Sequence, residues 1–308
     1  VAVLMNEFIE KFIKTERKRP DDPIRMITVD IIPSIGKMKL TDLETKQIIT
    51  QCIDPIIKRG SKVYAGRVLS LLKQAFQFGV HRGLIKSSPL SNTQKRNITG
   101  KELAKDRFLT EKELQIFFYN LPKVGITRPV QIVLTLLCLT GCRVNELIIA
   151  EWEHIDFDKK MWFFPPENTK SHKGKEKPHY VPMNTVIIQY LKEMQLQFSY
   201  LNSKYVFPST TKRNVDPGGG PMESRSISKG VARHTEDFGI DKFTPHDFRR
   251  TVQTQMAKMG VDPVVVEKVL NHELTGMMRI YNQHDYMNER RLALDKWSKK
   301  LKKLIEGK

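Results

Sequence analysis

The sequence predicts a mainly α fold with a small antiparallel β-sheet, an α+β class, arranged as two domains. Three observations carry that expectation. Apolar residues recur at helical spacing through both halves of the chain. Three short strand-like runs lie close together in the middle, separated by polar turns. A length of 308 residues fits about two domains on the usual ~150-residue prior, and such a chain can bury substantial cores without disulfides or metal staples.

In the first segment Leu4, Phe8, Ile9, Phe12 and Ile13 share one helical face, and Pro20 ends that element. Thr41-Asp42-Leu43-Glu44 reads as a capping box opening a helix toward Ile57, interrupted near Pro55 and stopped at the latest by Gly60. A further helix from Ser61 to Val80 carries Tyr64, Val68, Leu71, Leu72, Ala75 and Phe76. Periodicity then fails between Ser87 and Arg107, where polar and basic residues have linker composition. Order resumes at Thr110 and Glu113, a second capping box. Val130 to Leu139 is almost wholly apolar and reads as a buried helix ending at Thr140-Gly141. Residues 152–158 and 161–165 form two strands around a turn at Asp158-Lys159-Lys160, and Tyr180-Val181-Pro182 forms a third after a lysine-rich turn. The run from Asp216 to Pro221 reads as a mobile surface loop; no Lys-Ser/Thr follows its glycines at phosphate-loop spacing, so ATP use is not implied. Beyond Tyr286 one more amphipathic helix carries Leu292, Leu294, Trp297, Leu301 and Leu304 among lysines. The expected divisions are 1–92, a basic linker 93–107, 108–284, and a tail 285–308.

Fifty-two Lys plus Arg against 34 Asp plus Glu give a net charge of +18. That imbalance suits a polyanion, most simply nucleic acid, because each neutralised phosphate releases counterions. Lys58, Arg59, Lys62, Arg67 and Lys73 lie around two helices of the first segment, with Lys95 and Arg96 in the linker. Arg59, Lys62, Arg67, Lys73, Lys95 and Arg96 are the candidate phosphate contacts there. Taken singly, such side chains more often solvate a helix surface. Cys52, Cys138 and Cys142 make neither a disulfide framework nor a paired metal motif and read as small core residues in a reducing compartment. No apolar run nears 20 residues and no signal-peptide pattern occurs, so a soluble, cytoplasmic chain without a membrane partner is expected. The first residue is Val1 rather than Met, and a segment ahead of it is expected.

The chemistry sits in the second half: Arg143, Lys170, His246, Arg249, His272 and Tyr281. Guanidinium forks bind non-bridging phosphate oxygens and offset transition-state charge. A tyrosine hydroxyl can attack phosphorus and leave a covalent phosphotyrosine. Histidine and lysine can hold or move protons near neutral pH. His246 and Arg249, three apart, share a helix face, and Thr244-Pro245 puts them at its N-terminus, where amide donors favour an anion.

The words around these residues are Leu139-Thr140-Gly141-Cys142-Arg143-Val144-Asn145-Glu146-Leu147, Thr244-Pro245-His246-Asp247-Phe248-Arg249-Arg250-Thr251, Leu270-Asn271-His272, and Tyr281 nine positions beyond His272. Together they resemble the signature of the tyrosine recombinases, the phage-integrase family, closely from Thr110 to Trp297 and in general character before that. The resemblance implies a helical core-type DNA-binding domain and a catalytic domain closing on the duplex as a clamp. It assigns Arg143 and Arg249 to the scissile phosphate, Glu146 to support from behind, and His246 to proton handling or phosphate donation. His272 would donate to the phosphate, Lys170 would be the general acid for the leaving 5′-oxygen, with Lys173 next in line, and Lys173 is also a candidate DNA contact. Tyr281 would be the nucleophile, the interval from His272 preferring it to Tyr286. Arg250 reads as structural. Where the family often has Gly before the second histidine this chain has Asn271, which also tolerates the left-handed conformation.

The implied activity is site-specific recombination that integrates or excises a mobile element through a 3′-phosphotyrosyl link, with neither ATP nor metal as cofactor. Expected partners are double-stranded DNA attachment sites and three further copies of the chain in a tetramer on DNA, helped by a DNA-bending protein and a directionality factor. The tail would either pack on its own domain or be exchanged between protomers. The implied location is the bacterial cytoplasm, at the nucleoid. The alternatives are a type IB topoisomerase-like enzyme, which religates the same strand, and a non-enzymatic DNA-binding protein on the same fold, which has no need for Tyr281.

Overall fold

A computed structural model describes residues 1–101, 106–169, 177–210, 219–273 and 284–306. The chain divides between Lys105 and Asp106 into two compact units. The fold is mostly helical with one three-stranded antiparallel sheet, so the expected class is borne out.

The first unit is helical. Its core gathers Leu4, Phe8, Ile13, Ile27, Ile31, Ile53, Val68, Leu72 and Phe76, all essentially inaccessible. Phe8 stacks on Phe12 with ring centroids 5.2 Å apart, and both meet Phe78 of the helix Lys62–His81. Helical residues 21–35, a stretch for which no element was expected, supply Ile27, Ile31 and Ile35 to that core. The expected capping box at Thr41 is displaced. Leu40–Asp42 is a 3-10 turn, and the helix begins at Thr45, with Gln47 Oε1 accepting from the backbone N–H of Glu44 at 2.8 Å. Pro55 does not interrupt that helix. The turn before it, Ile49–Ile53, widens to π spacing, as Ile27–Ile31 does ahead of Pro33. Proline offers no N–H to the carbonyl four residues back, and a wide turn lets helical path continue past the gap.

Within the stretch expected as linker, Lys95–Thr99 is a helical turn packed on Lys62–His81. The cause is Gly66: having no Cβ, it leaves room for the aliphatic stem of Lys95 and for Thr99 to lie against the helix. Composition alone hides such a contact, because the residues that make it are polar.

The second unit is built around the helix Arg128–Thr140, whose residues from Pro129 to Thr140 are all buried. Against it pack Asp247–Lys258, Thr185–Gln197 and Met287–Glu306. Phe117, Phe238, Phe243 and Phe248 form an aromatic cluster with centroids 5.1–5.7 Å from Phe117. The Thr110 capping box is present: Glu113 Oε2 accepts from Thr110 N–H at 2.9 Å, and Thr110 Oγ1 from Glu113 N–H at 3.2 Å. The strands are β1 (Ile155–Asp156), β2 (Met161–Phe164) and β3 (His179–Pro182), in sheet order β1-β2-β3. Trp162 pairs with Val181 and Phe164 with His179. Trp152–His154, read as part of the first strand, is instead a 3-10 turn. The start of the expected mobile loop at 216–221 falls outside the described residues.

The tail lies on its own unit in this chain. Met287–Glu306 buries Ala293, Leu294, Trp297 and Leu301, and Trp297 Nε1 donates to Cys138 O at 2.8 Å. Cys138 and Cys142 are buried thiols, and burial pushes the Cys142 thiol up to about 12. Among the described residues no helix is long and apolar enough to cross a membrane. Trp297→Ala should remove the largest side chain the tail buries and orphan the Cys138 carbonyl. A loss of about 3–5 kcal/mol is expected in chemical unfolding followed by circular dichroism; a change under about 1 kcal/mol would show that the helix does not belong to this core.

Candidate functional site

Arg143 is placed by the glycine before it. Gly141 ends the helix Arg128–Thr140 with φ +67°, a conformation that L residues adopt at a cost. A Cβ there would come within 2.6 Å of Leu270 Cδ2. The close approach brings the end of this helix against the turn that holds Asn271 and His272. Arg143 then precedes the short helix Val144–Ile148, and its Nη1 donates to Glu146 Oε1 at 2.7 Å. Glu146 is 1% exposed. A buried carboxylate thus lies against the Arg143 guanidinium.

Arg249 enters from the helix Asp247–Lys258. The chain entering that helix is held by Asp247, whose Oδ2 accepts from Thr244 N–H at 2.7 Å and from Thr244 Oγ1 at 2.9 Å. Arg250 pairs with the other oxygen of Asp247, and Thr251 Oγ1 accepts from Leu109 N–H at 2.8 Å. These residues fix the helix. His246, at the cap position, makes no side-chain cap bond and is exposed. Arg249 itself is 4% exposed and donates from Nη1 to Gly141 O at 2.9 Å and from Nη2 to Leu270 O.

The two arginines converge on one turn. Arg143 Nη2 reaches Asn271 O at 3.3 Å, the residue after Arg249's acceptor. Asn271 has φ +51°, the left-handed conformation that asparagine tolerates in place of glycine. The next residue is His272, whose Nδ1 lies 2.6 Å from Glu267 Oε2. Gln253 Nε2 donates to the other oxygen of Glu267 at 3.1 Å.

Electrostatics follow from this crowding of cations. Burial, then the charge of Arg143, bring Arg249 down to about 10, still protonated at neutral pH. Burial and the nearby arginines lower His272, opposed by Glu267. His246, exposed at its edge, is lowered by desolvation of its ring against the helix end and then by Arg250 and Arg249. Near neutral pH the two imidazoles are thus poised on the uncharged side beside two fixed cations.

The structure therefore brings together Arg143, Glu146, Arg249 and His272, with His246 one helical turn ahead of Arg249. Lys170, Lys173 and Tyr281 lie outside the described residues. Tyr286, the rival tyrosine, is partly buried against the core, with its ring 4.6 Å from that of His284. In the first unit Lys62, Arg67 and Arg96 are exposed, whereas Lys73 Nζ donates to Thr93 O at 2.6 Å and Lys95 is packed at Gly66. Arg59 is exposed but anchored, its Nη2 donating to buried Asp30 Oδ1 at 2.6 Å. Among the described residues no group of three or more His, Cys, Asp or Glu could hold a metal ion.

Sequence reading missed His179, Glu267 and Arg290. His179 sits two before Val181 on β3, so strand alternation alone would have turned it inward with that residue. Glu267 shows no sequence signal, since its partner His272 lies past the end of its helix. Arg290, 6% exposed on the tail, donates to Tyr180 O.

Residues 107–288 match the phage integrase family and residues 2–96 the phage integrase central domain. The chain belongs to the phage integrase family. It is 23% identical over 295 residues to prophage integrase IntA of Escherichia coli K12, covering 93% of this chain but 66% of that protein's length. Its fold is similar to that of the Tn1549 transposon integrase in complex with circular intermediate DNA: TM-score 0.71, 16% identity, 94% of this chain and 97% of that one. It is also similar to a lambda integrase tetramer bound to a Holliday junction, with TM-score 0.65, 16% identity, 92% of this chain and 77% of that one.

His179 sets a pH dependence that can be measured. Burial, then the charge of Arg290, hold its imidazole well below the ordinary value of 6.5. Between those two values the unfolded chain binds a proton that the folded chain does not. Its contribution is complete above about 6.5 and is lost as pH falls from there toward the folded value. His179→Gln should therefore reduce the loss of unfolding free energy between about pH 7.5 and about pH 5.5, by up to ~1.4 kcal/mol per pH unit. Equal pH slopes for parent and variant would contradict a neutral, buried His179.

Proposed function

We propose that this chain is a site-specific DNA recombinase that cuts and rejoins strands through a tyrosyl intermediate. The observation that carries the reading is the convergence of Arg143 and Arg249 on the successive carbonyls of Asn271 and Leu270, with His272 beside them. Arg249 is held by backbone carbonyls and Arg143 by a carbonyl and the Glu146 carboxylate, and both keep N–H donors for an anion. The two non-bridging oxygens of a phosphodiester match the donors that such a pair presents.

In this reading Tyr281 Oη attacks the scissile phosphorus. The P–O bond to the 5′-oxygen breaks, a 3′-phosphotyrosyl bond forms, and the tyrosyl proton passes to a neighbouring base or water. Lys170 supplies the proton that the departing 5′-oxygen takes up, and Lys173 is the nearest substitute. His272 donates to the phosphate, and uncharged His246 can accept or relay a proton. The arginines neutralise charge on the five-coordinate phosphorus, with no reorganisation needed during the reaction. Attack by the 5′-hydroxyl of a partner strand reverses the steps and joins new ends. The phosphotyrosyl link conserves the bond energy, so no nucleotide triphosphate enters the balance.

The substrates proposed are paired DNA attachment sites of a mobile element and its host, held by four copies of the chain. A DNA-bending protein and a directionality factor would assist, at the nucleoid. Exposed Arg59, Lys62, Arg67 and Arg96 would track the backbone in the first unit, Lys95 and Lys73 contributing through their positive field, and Lys173 would meet DNA from the second. Support comes from the net charge of +18 and from the DNA complexes of the similar folds.

Tyr281→Phe removes only the attacking oxygen. On a nicked suicide duplex, the variant should bind DNA like the parent and give no covalent adduct on a denaturing gel. Adduct that persists in Tyr281→Phe, or that disappears only in Tyr286→Phe, would remove Tyr281 from the role of nucleophile.

A further inference from the structure

Three consecutive backbone carbonyls follow one another out of the helix Pro263–Val269, and each receives a side-chain donor from a different element. Val269 O faces His179 Nε2 at 3.1 Å, Leu270 O accepts from Arg249, and Asn271 O accepts from Arg143 at 3.3 Å. The last carbonyls of a helix lack partners of their own and carry the negative end of its dipole, which suits such donors. The second and third donors are the phosphate-binding arginines. The first has no part in the mechanism above.

His179 is 2% exposed, its ring stacked on Phe164 across the β2–β3 pair with centroids 5.7 Å apart. With Nε2 donating to the carbonyl, Nδ1 is an acceptor, and it is buried without a hydrogen-bond partner among the described residues. An unmet buried polar atom costs about 1–3 kcal/mol, a cost that a leucine at this inward strand position would avoid. The imidazole is therefore poorly explained as core filling, and the bond it makes is the feature that an aliphatic residue lacks.

We infer that His179 is a positioning residue of the phosphate site: its Nε2–H pins the Val269 carbonyl and so sets the turn from which Arg143 and Arg249 hang. The role rests on the reading that these two arginines bind the scissile phosphate. β3 is in turn held from its other neighbour, because Arg290 of the tail helix donates to Tyr180 O. Arg290, Arg249 and Arg143 all bear positively on the ring, so it stays neutral and keeps its donor over the working pH range. A shift of the turn would move both guanidinium groups at once, and a misplacement near 1 Å can cost ~10²-fold in rate.

The test compares single-turnover cleavage, at saturating DNA, of a suicide duplex carrying an ordinary scissile phosphate with one carrying a methylphosphonate there. The methylphosphonate has no non-bridging charge to neutralise, so an enzyme with a displaced arginine pair loses less on it. His179→Leu should slow the ordinary substrate by ~10–10²-fold and the methylphosphonate distinctly less. His179→Gln, which keeps an N–H donor of similar reach, should stay within a few-fold of the parent. His179→Asn, polar but too short to reach Val269 O, stands in if the leucine variant does not fold. Equal slowing on both substrates, or parental rates without the donor, would overturn the inference. Arg249→Ala is the control: an equal loss on both substrates there would overturn the phosphate-clamp reading itself, and the positioning role with it.

Discussion

The second unit depends on the capped end of one short helix. Val269, Leu270 and Asn271 present their carbonyls in succession, and a histidine from the sheet and two arginines from separate helices close on them. Each donor comes from a different region of sequence, so the bonds tie β3, the Gly141 corner and the helix Asp247–Lys258 to one turn. Gly141 makes the approach possible: any side chain there would strike Leu270 or Val252. The arrangement also answers how two guanidinium groups can be held near each other before an anion arrives. Helix-end carbonyls and the buried Glu146 carboxylate offset repulsion that would otherwise push the arginines apart.

Burial of these groups, together with that balance of charges, sets the direction of the shifts around the site. Burial first, and then the neighbouring arginines, hold His246, His272 and His179 on the neutral side, and burial with Arg143 lowers Arg249 without discharging it at neutral pH. A phosphate entering the site would reverse the sign of the local field. It would favour protonation of the neighbouring imidazoles, a suitable state for proton transfer timed to bond breaking.

Much of this was legible in the sequence, for identifiable reasons. Gly141 before Arg143 announces a helix end, Thr110 and Glu113 form the expected capping box, and the apolar run at Val130–Leu139 has no room to be anything but buried. Positive φ at Asn271 follows from the tolerance of asparagine for that conformation. Other features required tertiary information. The helix through Pro55 survives by a change of turn width, which no propensity records. The cap at Glu44 instead of Thr41 is a competition between two plausible caps three residues apart. Lys95–Thr99 looks like linker because its packing partner is the absent side chain of Gly66. His179 gives an inward strand position but no hint that a carbonyl ninety residues away needs a donor. The tail's amphipathic pattern says that a face is buried, not against which copy; in this chain it lies on its own unit, with Trp297 at the core.

The central claim is that Arg143 and Arg249 act together on one phosphate as bond-making proceeds, beyond any share in holding DNA. The most direct measurement is single-turnover cleavage by Arg249→Lys with DNA saturating, alongside its affinity for the same duplex. Lysine keeps the charge and loses the planar fork. The account predicts affinity close to that of the parent and a cleavage rate lower by ~10²–10³, the loss typical of removing one transition-state donor. Parental cleavage by Arg249→Lys, or a defect confined to affinity, would contradict it.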